Sequence, residues 1–369
     1  MLPRASGDRG ERGGPLLSDR KLNIGMVGAG FIGQIAHLAN FAQLKNCRLA
    51  AVAEMRPELR RRVVERYGIA RSYAHHRDML RDPDVEAVVI VTPRAHTGPV
   101  ALDCLEAGKH VLTEKPMAGT VEGGERLVAA AAAKKVNYAI GYMKRYDEGV
   151  QKAKELIHDA LATGKLGALQ FVRAHCFMGN SYCKADGHVV TEEKPEYSDT
   201  GWSMTPAWLP EARRREYEAY VNTYCHNVNL LRFLLGRSPV VEHANFASAG
   251  QIAILDFGSF RASLETGAVS NRGWDEVVEI YFDHGKLTLK TPPALLKNVP
   301  ASVELYSAGG FQEIRSPQID WTWAFRRQAA AFVDDILAGR ESGSSGADSL
   351  EDLRLVEGMW RLELRRAAT

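Results

Sequence analysis

The stretch Gly28-Ala29-Gly30-Phe31-Ile32-Gly33 constrains this chain more than any other. It follows an apolar run of strand length, residues 21–27. It opens the segment 31–43, where Ile32, Ile35, Ala36 and Ala39 recur at helical spacing. Glycines so spaced between a strand and a helix serve a particular geometry. Gly28 permits a tight turn, Gly30 lets the backbone approach a diphosphate, and Gly33 lets the helix pack closely on the strand. The helix N-terminus then offers free N–H groups and a positive dipole end. The motif, with Phe31 and Ile32 inside it, therefore predicts the cradle of a dinucleotide.

The chain that follows keeps a matching alternation. Residues 48–53, 85–91, 110–113 and 137–141 are apolar runs of strand length, and 56–67, 96–107 and 121–135 read as helices. Strand and helix in turn predict an open parallel sheet with helices on both faces and right-handed crossovers. Glu54 stands at the end of the second strand, 21 residues after Gly33. A carboxylate there can bond ribose hydroxyls and repel a 2′-phosphate, which favours NAD over NADP. Arg56 is the neighbour that could instead take a 2′-phosphate.

Beyond residue 142 the pattern changes. A helix over 150–162 is followed by short strand-like runs at 169–174, 240–247, 251–257, 259–265, 276–282 and 286–291, joined by turns. Such a succession predicts an antiparallel or mixed sheet. A helix over 323–337, a Gly/Ser loop over 341–348 and a closing helix over 349–366 complete the chain. The expected organisation is a disordered tail at 1–20, a dinucleotide-binding α/β domain at 21–141, and an α+β domain at 142–369. The closing helix is placed so that it can pack back on the first domain.

Composition narrows the function classes. The 369 residues carry a net charge of +2 with no basic stripe, which argues against nucleic-acid or membrane partners. No run approaches the length of a membrane span, and the polar tail lacks the apolar core of a signal, so a cytoplasmic protein is expected. The five cysteines, Cys47, Cys104, Cys176, Cys183 and Cys225, form no C-x-x-C pair, so neither a disulfide framework nor a zinc site is expected. His75-His76 lacks companions at ligand spacing, and no metal site is expected.

Several blocks together resemble the glucose–fructose oxidoreductase / inositol dehydrogenase / MocA family. They are Asn23 to Gly33, Val91-Thr92-Pro93 with His96, and Ala107-Gly108-Lys109-His110-Val111 running into Glu114-Lys115-Pro116. Gly164-Lys165-Leu166-Gly167, His226 through Leu234-Leu235-Gly236, and Ala331 to Ile336 continue the series. The resemblance runs nearly end to end from about residue 21, and the Gly-Lys-His-Val…Glu-Lys-Pro block is its most specific part. It implies a Rossmann domain followed by a domain with a large, open, mostly antiparallel sheet, with the substrate held between them. It also implies a homo-oligomer, a dimer or tetramer, acting on a small polyol or glycoside.

The same resemblance makes Lys115 catalytic. That fits its place after a parallel strand, at the sheet edge where ligands bind in such folds. An alcohol must lose its hydroxyl proton as hydride leaves carbon, and a lysine there can hold or relay it. The family carries an acid four residues before a histidine on one helix, so that both face one substrate. Here the pair is Asn222 and His226. His226 is expected to take the proton, whereas the Asn222 amide cannot accept one and is assigned to orient substrate. Lys144, Arg145 and Tyr146 are expected to bind substrate; Thr92, Pro93 and His96 are expected to line the nicotinamide side, with Glu114 adjoining. The second Glu-Lys-Pro, at 193–195, has no apolar strand before it to aim its lysine, and is set aside. It lies in a polar and aromatic insertion, 177–220, expected to be a lid or an oligomer arm.

The resulting expectation is NAD-dependent oxidation of a secondary alcohol on a sugar, glycoside or cyclitol. A glycoside or aminoglycoside is the narrower expectation, from the length of the insertion. A redox-neutral cycle, in which the cofactor is reduced and reoxidised without leaving, is compatible with these residues. The alternatives are a non-catalytic dinucleotide-sensing regulator of the same family, which the loss of the acid at Asn222 favours, and an imine or enone reductase.

Overall fold

Continuous apolar strands need cover on both faces, and the first sheet provides it. Its six strands are β1 (Leu22–Val27), β2 (Cys47–Ala53), β3 (Arg71–Tyr73), β4 (Ala87–Ile90), β5 (His110–Thr113) and β6 (Tyr138–Ile140). They pair in parallel in the order β3-β2-β1-β4-β5-β6. The order reverses between β1 and β4, which opens a crevice at the C-terminal strand ends. The structure is a computed structural model and describes residues 20–179, 185–197, 201–246, 250–271 and 273–367. The tail expected at 1–20 lies outside these residues except for Arg20, and so does Cys183.

Local chemistry sets the helix ends. Helix α1 (31–41) follows the glycine turn and widens to π geometry over Gly33–Leu38. Helix α2 (Pro57–Tyr67) starts on a proline and stops at Gly68 in the left-handed conformation. A short helix α3 (His76–Leu80), not apparent in the sequence, precedes β4. Helices α4 (Arg94–Glu106) and α5 (Val121–Lys134) follow β4 and β5.

After β6 a short 3-10 turn, Met143–Tyr146, leads into α6 (Glu148–Thr163). The second sheet has eight strands: β7 (Leu169–Met178), β8 (Val240–Asn245), β9 (Gln251–Asp256), β10 (Arg261–Ala268), β11 (Trp274–Phe282), β12 (Gly285–Lys290), β13 (Ser302–Ser307) and β14 (Glu313–Arg315). Their order is β14-β13-β12-β11-β7-β10-β9-β8. All neighbours are antiparallel except β7 and β10. The mostly antiparallel sheet thus matches expectation, while β13 and β14 were not foreseen. Side chains alternate: Val172, Ala174, Val278 and Ile280 are buried beneath α6 and α7 (Arg214–Leu235), while Arg173 and Glu279 face a trough on the other side.

Two late helices return to the first sheet. Helix α9 (Gly346–Ala367) packs on α5, where Leu350 and Leu353 lie against Gly124 and Glu357 accepts the Val121 N–H at 2.8 Å. Helix α8 (Ala324–Leu337) buries Ala329, Phe332 and Val333 with Leu22, Ile24 and Phe41. The Phe41 and Phe332 rings meet edge to face at 6.4 Å. Within the insertion, Trp202 lies over Gly98 beneath the Arg126 guanidinium, and Trp208 donates to Glu357 at 3.3 Å. Both tryptophans therefore serve packing. Phe332→Ala is expected to cost about 3–5 kcal/mol in urea unfolding, as for other buried aromatic truncations; a loss under about 1 kcal/mol would mean that α8 adds little to the first domain's core.

Candidate active site

Two adjoining hollows lie along the C-terminal edge of the first sheet and share Ile32, Val91, Thr92 and Pro93. The first, about 420 Å³, runs over the glycine turn and is lined by Gly28, Gly30, Phe31, Gly33, Glu54, Arg56 and His96. The second, about 430 Å³, lies between the two sheets and is lined by Glu114, Lys115, Lys144, Asn222 and His226. A molecule the length of a dinucleotide can span both.

The glycine turn fits a diphosphate. Gly28 has φ +87°, and a Cβ there would come within 2.2 Å of the Val91 carbonyl oxygen. A Cβ on Gly33 would meet the Gly28 carbonyl at 2.7 Å, so α1 sits tight against the turn. At Gly30 a Cβ would meet only the Arg56 guanidinium, at 3.9 Å, which leaves the approach to the backbone open. Glu54 is buried at the end of β2. It accepts the Ala29 N–H at 2.9 Å and the Arg56 guanidinium at 2.8 and 2.9 Å. Burial works against its charge, but Arg56 and the N–H groups of Ala29 and Arg56 outweigh burial and hold the carboxyl below its usual range.

In the second hollow the sheets meet. The Lys115 ammonium donates to the main-chain carbonyl of Asn222 at 2.6 Å and approaches its side-chain oxygen at 3.4 Å. Glu114 ties β5 to α1 through His37 at 2.8 Å. Burial would raise this carboxyl, yet His37 and the Lys115 charge keep it low. One turn along α7, the edge of the His226 ring meets Tyr142 at 5.8 Å. Its Nδ1 is enclosed with no partner among the described residues. Burial, reinforced by the charges of Lys115 and Lys144, pushes its pKa well below the ordinary histidine value.

Some expected residues lie elsewhere. His96 lines the first hollow and stacks on Tyr197 at 4.0 Å, so it is not on the side of Lys115 and His226. Arg145 turns away from the cleft: its Nε donates to Asn229 at 2.8 Å and its guanidinium pairs with Asp348 at 2.5 Å. Tyr146 hydrogen-bonds Ser342 at 3.3 Å. In the tight turn Met143–Tyr146, Met143 and Lys144 line the cleft, and the next two side chains are drawn into the core beneath α9. Lys144 does line the cleft, but ion-paired with Glu276, a residue not apparent as a site residue in the sequence. Asn227 also donates to Glu276, at 2.6 Å, and Glu276 Oε2 has no partner among the described residues. The available signal was an acid at an inward position of β11, between Trp274 and Val278.

A parallel sheet with a glycine-rich phosphate turn, opening on a cleft floored by a second sheet, defines a two-part dinucleotide-binding architecture. Residues 22–142 match the model of the Gfo/Idh/MocA family, described as an oxidoreductase family with an NAD-binding Rossmann fold. Inositol 2-dehydrogenase of Burkholderia vietnamiensis is 29% identical over 343 residues, covering 89% of each chain. The match to this family spans the first sheet and its helices, residues 22–142. A levoglucosan dehydrogenase solved with NADH and levoglucosan shares the fold at TM-score 0.74 and 18% identity, over 94% of this chain and 98% of that one. A 3-ketoreductase from Actinomadura kijaniata, solved with TDP-benzene and NADP, shares it at TM-score 0.70 and 18% identity, over 93% and 98%.

A depressed histidine refuses a proton that its unfolded counterpart accepts. Stability from His226 is therefore present above the unfolded value of about 6.5 and declines as pH falls below it. Urea midpoints measured from about pH 8 to about pH 5.5 should fall below that value, and His226→Gln should flatten the decline; an unchanged slope in the variant would place the effect in other groups.

Proposed function

We propose that the protein is an NAD-dependent dehydrogenase that oxidises a secondary alcohol of a sugar, glycoside or cyclitol. The observation that carries this reading is the convergence of Lys115 and His226 on one cleft that continues into the glycine-lined groove. The name of the inositol 2-dehydrogenase relative supports a polyhydroxylated ring as substrate.

A bound nicotinamide dinucleotide supplies the hydride acceptor. Gly28, Gly30 and the N-terminus of α1 would hold its diphosphate, and Glu54 would hold the adenosine ribose. Thr92 and Pro93, common to both hollows, would flank its nicotinamide end. His226, kept neutral by burial and two lysines, accepts the hydroxyl proton of the substrate. Nδ1 is enclosed, so Nε2 is the accepting nitrogen. The Lys115 ammonium stabilises the oxygen as that proton leaves. Asn222 orients a neighbouring hydroxyl with its amide, and Lys144, steadied by Glu276, donates to another. The preference for NAD rests on Glu54. A 2′-phosphate would meet a buried carboxylate whose cationic partner, Arg56, is already engaged.

Lys115→Ala should lower kcat for substrate oxidation, followed as NADH absorbance, by roughly 10²–10⁴-fold; an undiminished rate would remove Lys115 from the chemistry. Glu54→Ala should shift the NAD-to-NADP ratio of kcat/KM towards NADP by about tenfold, the scale of one charged contact. Equal use of both cofactors by the unmutated protein would contradict the role given to Glu54.

A further inference from the structure

Residues 185–197 belong to the second half of the chain, yet they lie across the first. The Gln34 side chain is bonded in both directions to the main chain of Val189: it donates to the carbonyl at 3.0 Å and accepts the N–H at 2.7 Å. Arg62 donates to the Val190 carbonyl at 3.0 Å. The His188 ring meets Phe31 edge to face at 4.9 Å, and Tyr197 stacks on His96.

Glu193 makes the most specific of these contacts. Its carboxylate accepts the main-chain N–H groups of Glu58 and Leu59, each at 2.9 Å. These are free donors in the first turn of α2, whose own N-cap residue, Arg56, makes no side-chain capping bond among the described residues. A carboxylate at that end is favoured by the helix dipole as well as by the hydrogen bonds. The second half of the chain therefore caps the helix that begins directly after Glu54 and Arg56. Pro195 and Tyr197 then form part of the wall of the glycine-lined groove.

We propose that residues 185–197 are a strap over the adenosine side of the cofactor groove, with Pro195 and Tyr197 as part of the dinucleotide site, and that the strap holds the dinucleotide between turnovers. This rests on the NAD reading above. Each anchor lies on an element that builds the groove: α1 carries the glycine turn, α2 follows Glu54, and α4 carries His96. A dinucleotide seated there cannot leave past Pro195 and Tyr197 unless several of these contacts open together, so strap opening sets its release rate.

The test loads the purified protein with NADH, chases it with excess NAD, and follows loss of tryptophan-to-NADH energy transfer by stopped flow. Glu193→Gln removes the capping charge and keeps the shape; Tyr197→Ala removes the wall and leaves the cap. Each variant is first shown to melt as the unmutated protein does, within a few degrees. Release should accelerate by at least about tenfold in each, as expected for loss of a charged hydrogen bond or a stacked ring contact that acts on the off-rate. Unchanged release in either folded variant overturns the strap and leaves the NAD reading standing. Failure of the unmutated protein to bind NADH or NADPH overturns both. If one variant does not fold, the other still decides.

Discussion

One bond across the cleft organises the rest of the molecule: the Lys115 ammonium resting on the Asn222 carbonyl. Lys115 lies two residues beyond the fifth strand of the parallel sheet, and Asn222 lies midway along the helix that covers the second sheet. The contact brings together the two walls of the cleft, one from each sheet's side. It also charges the cleft. Burial keeps His226 unprotonated there, and the charges of Lys115 and Lys144 reinforce it. Glu276 limits the excess of positive charge by holding Lys144, and Glu114 adds a carboxylate next to Lys115.

A second cluster of charges sits beneath the cleft. Arg145 and Arg232 share Asp348, and Arg232 also holds Asp352 at 2.7 Å. Burial pushes the Asp352 carboxyl up to about 6, against the pull of both arginines. Asn229 joins the set by accepting from Arg145 and donating to Asp352 at 2.6 Å. This network fastens α7 to α9, and breaking one partner of such a set costs more than the set contributes to stability. Its value lies in fixing where α7 stands, and hence where Asn222 and His226 face.

Much of this was legible in the sequence. The parallel sheet could be read because its strands are uninterrupted apolar runs and its turn carries the three glycines. Lys115, His226, Asn222 and Lys144 could be placed by motif, and the structure brings them to one cleft. Other features depended on orientation, which sequence does not carry. His96 was correctly put near the start of a helix, but its direction around the helix axis was not readable. Arg145 and Tyr146 are neighbours of a cleft residue, yet a tight turn sends successive side chains in different directions. Glu276 escaped notice because the strand was read as starting there, so its inward phase was not visible. The second Glu-Lys-Pro was set aside in the sequence, and its Pro195 lines the glycine-lined groove rather than the cleft of Lys115. That its glutamate caps a helix 135 residues earlier could be seen only once the chain had folded.

The return of α8 to the first sheet bears on the order of synthesis. Phe332 and Val333 close over Leu22, Ile24 and Phe41, so part of one apolar face, beside the cover that α1 and α2 give, stays open until residues 324–337 have been made. On the ribosome residues 22–142 can form their strands and helices but lack this last piece of cover, and an uncovered patch of sheet attracts other nascent chains. A fragment cut after the sixth strand would carry the same liability. The first sheet is therefore not a detachable module: a segment that seals it is translated after the strands of the second sheet.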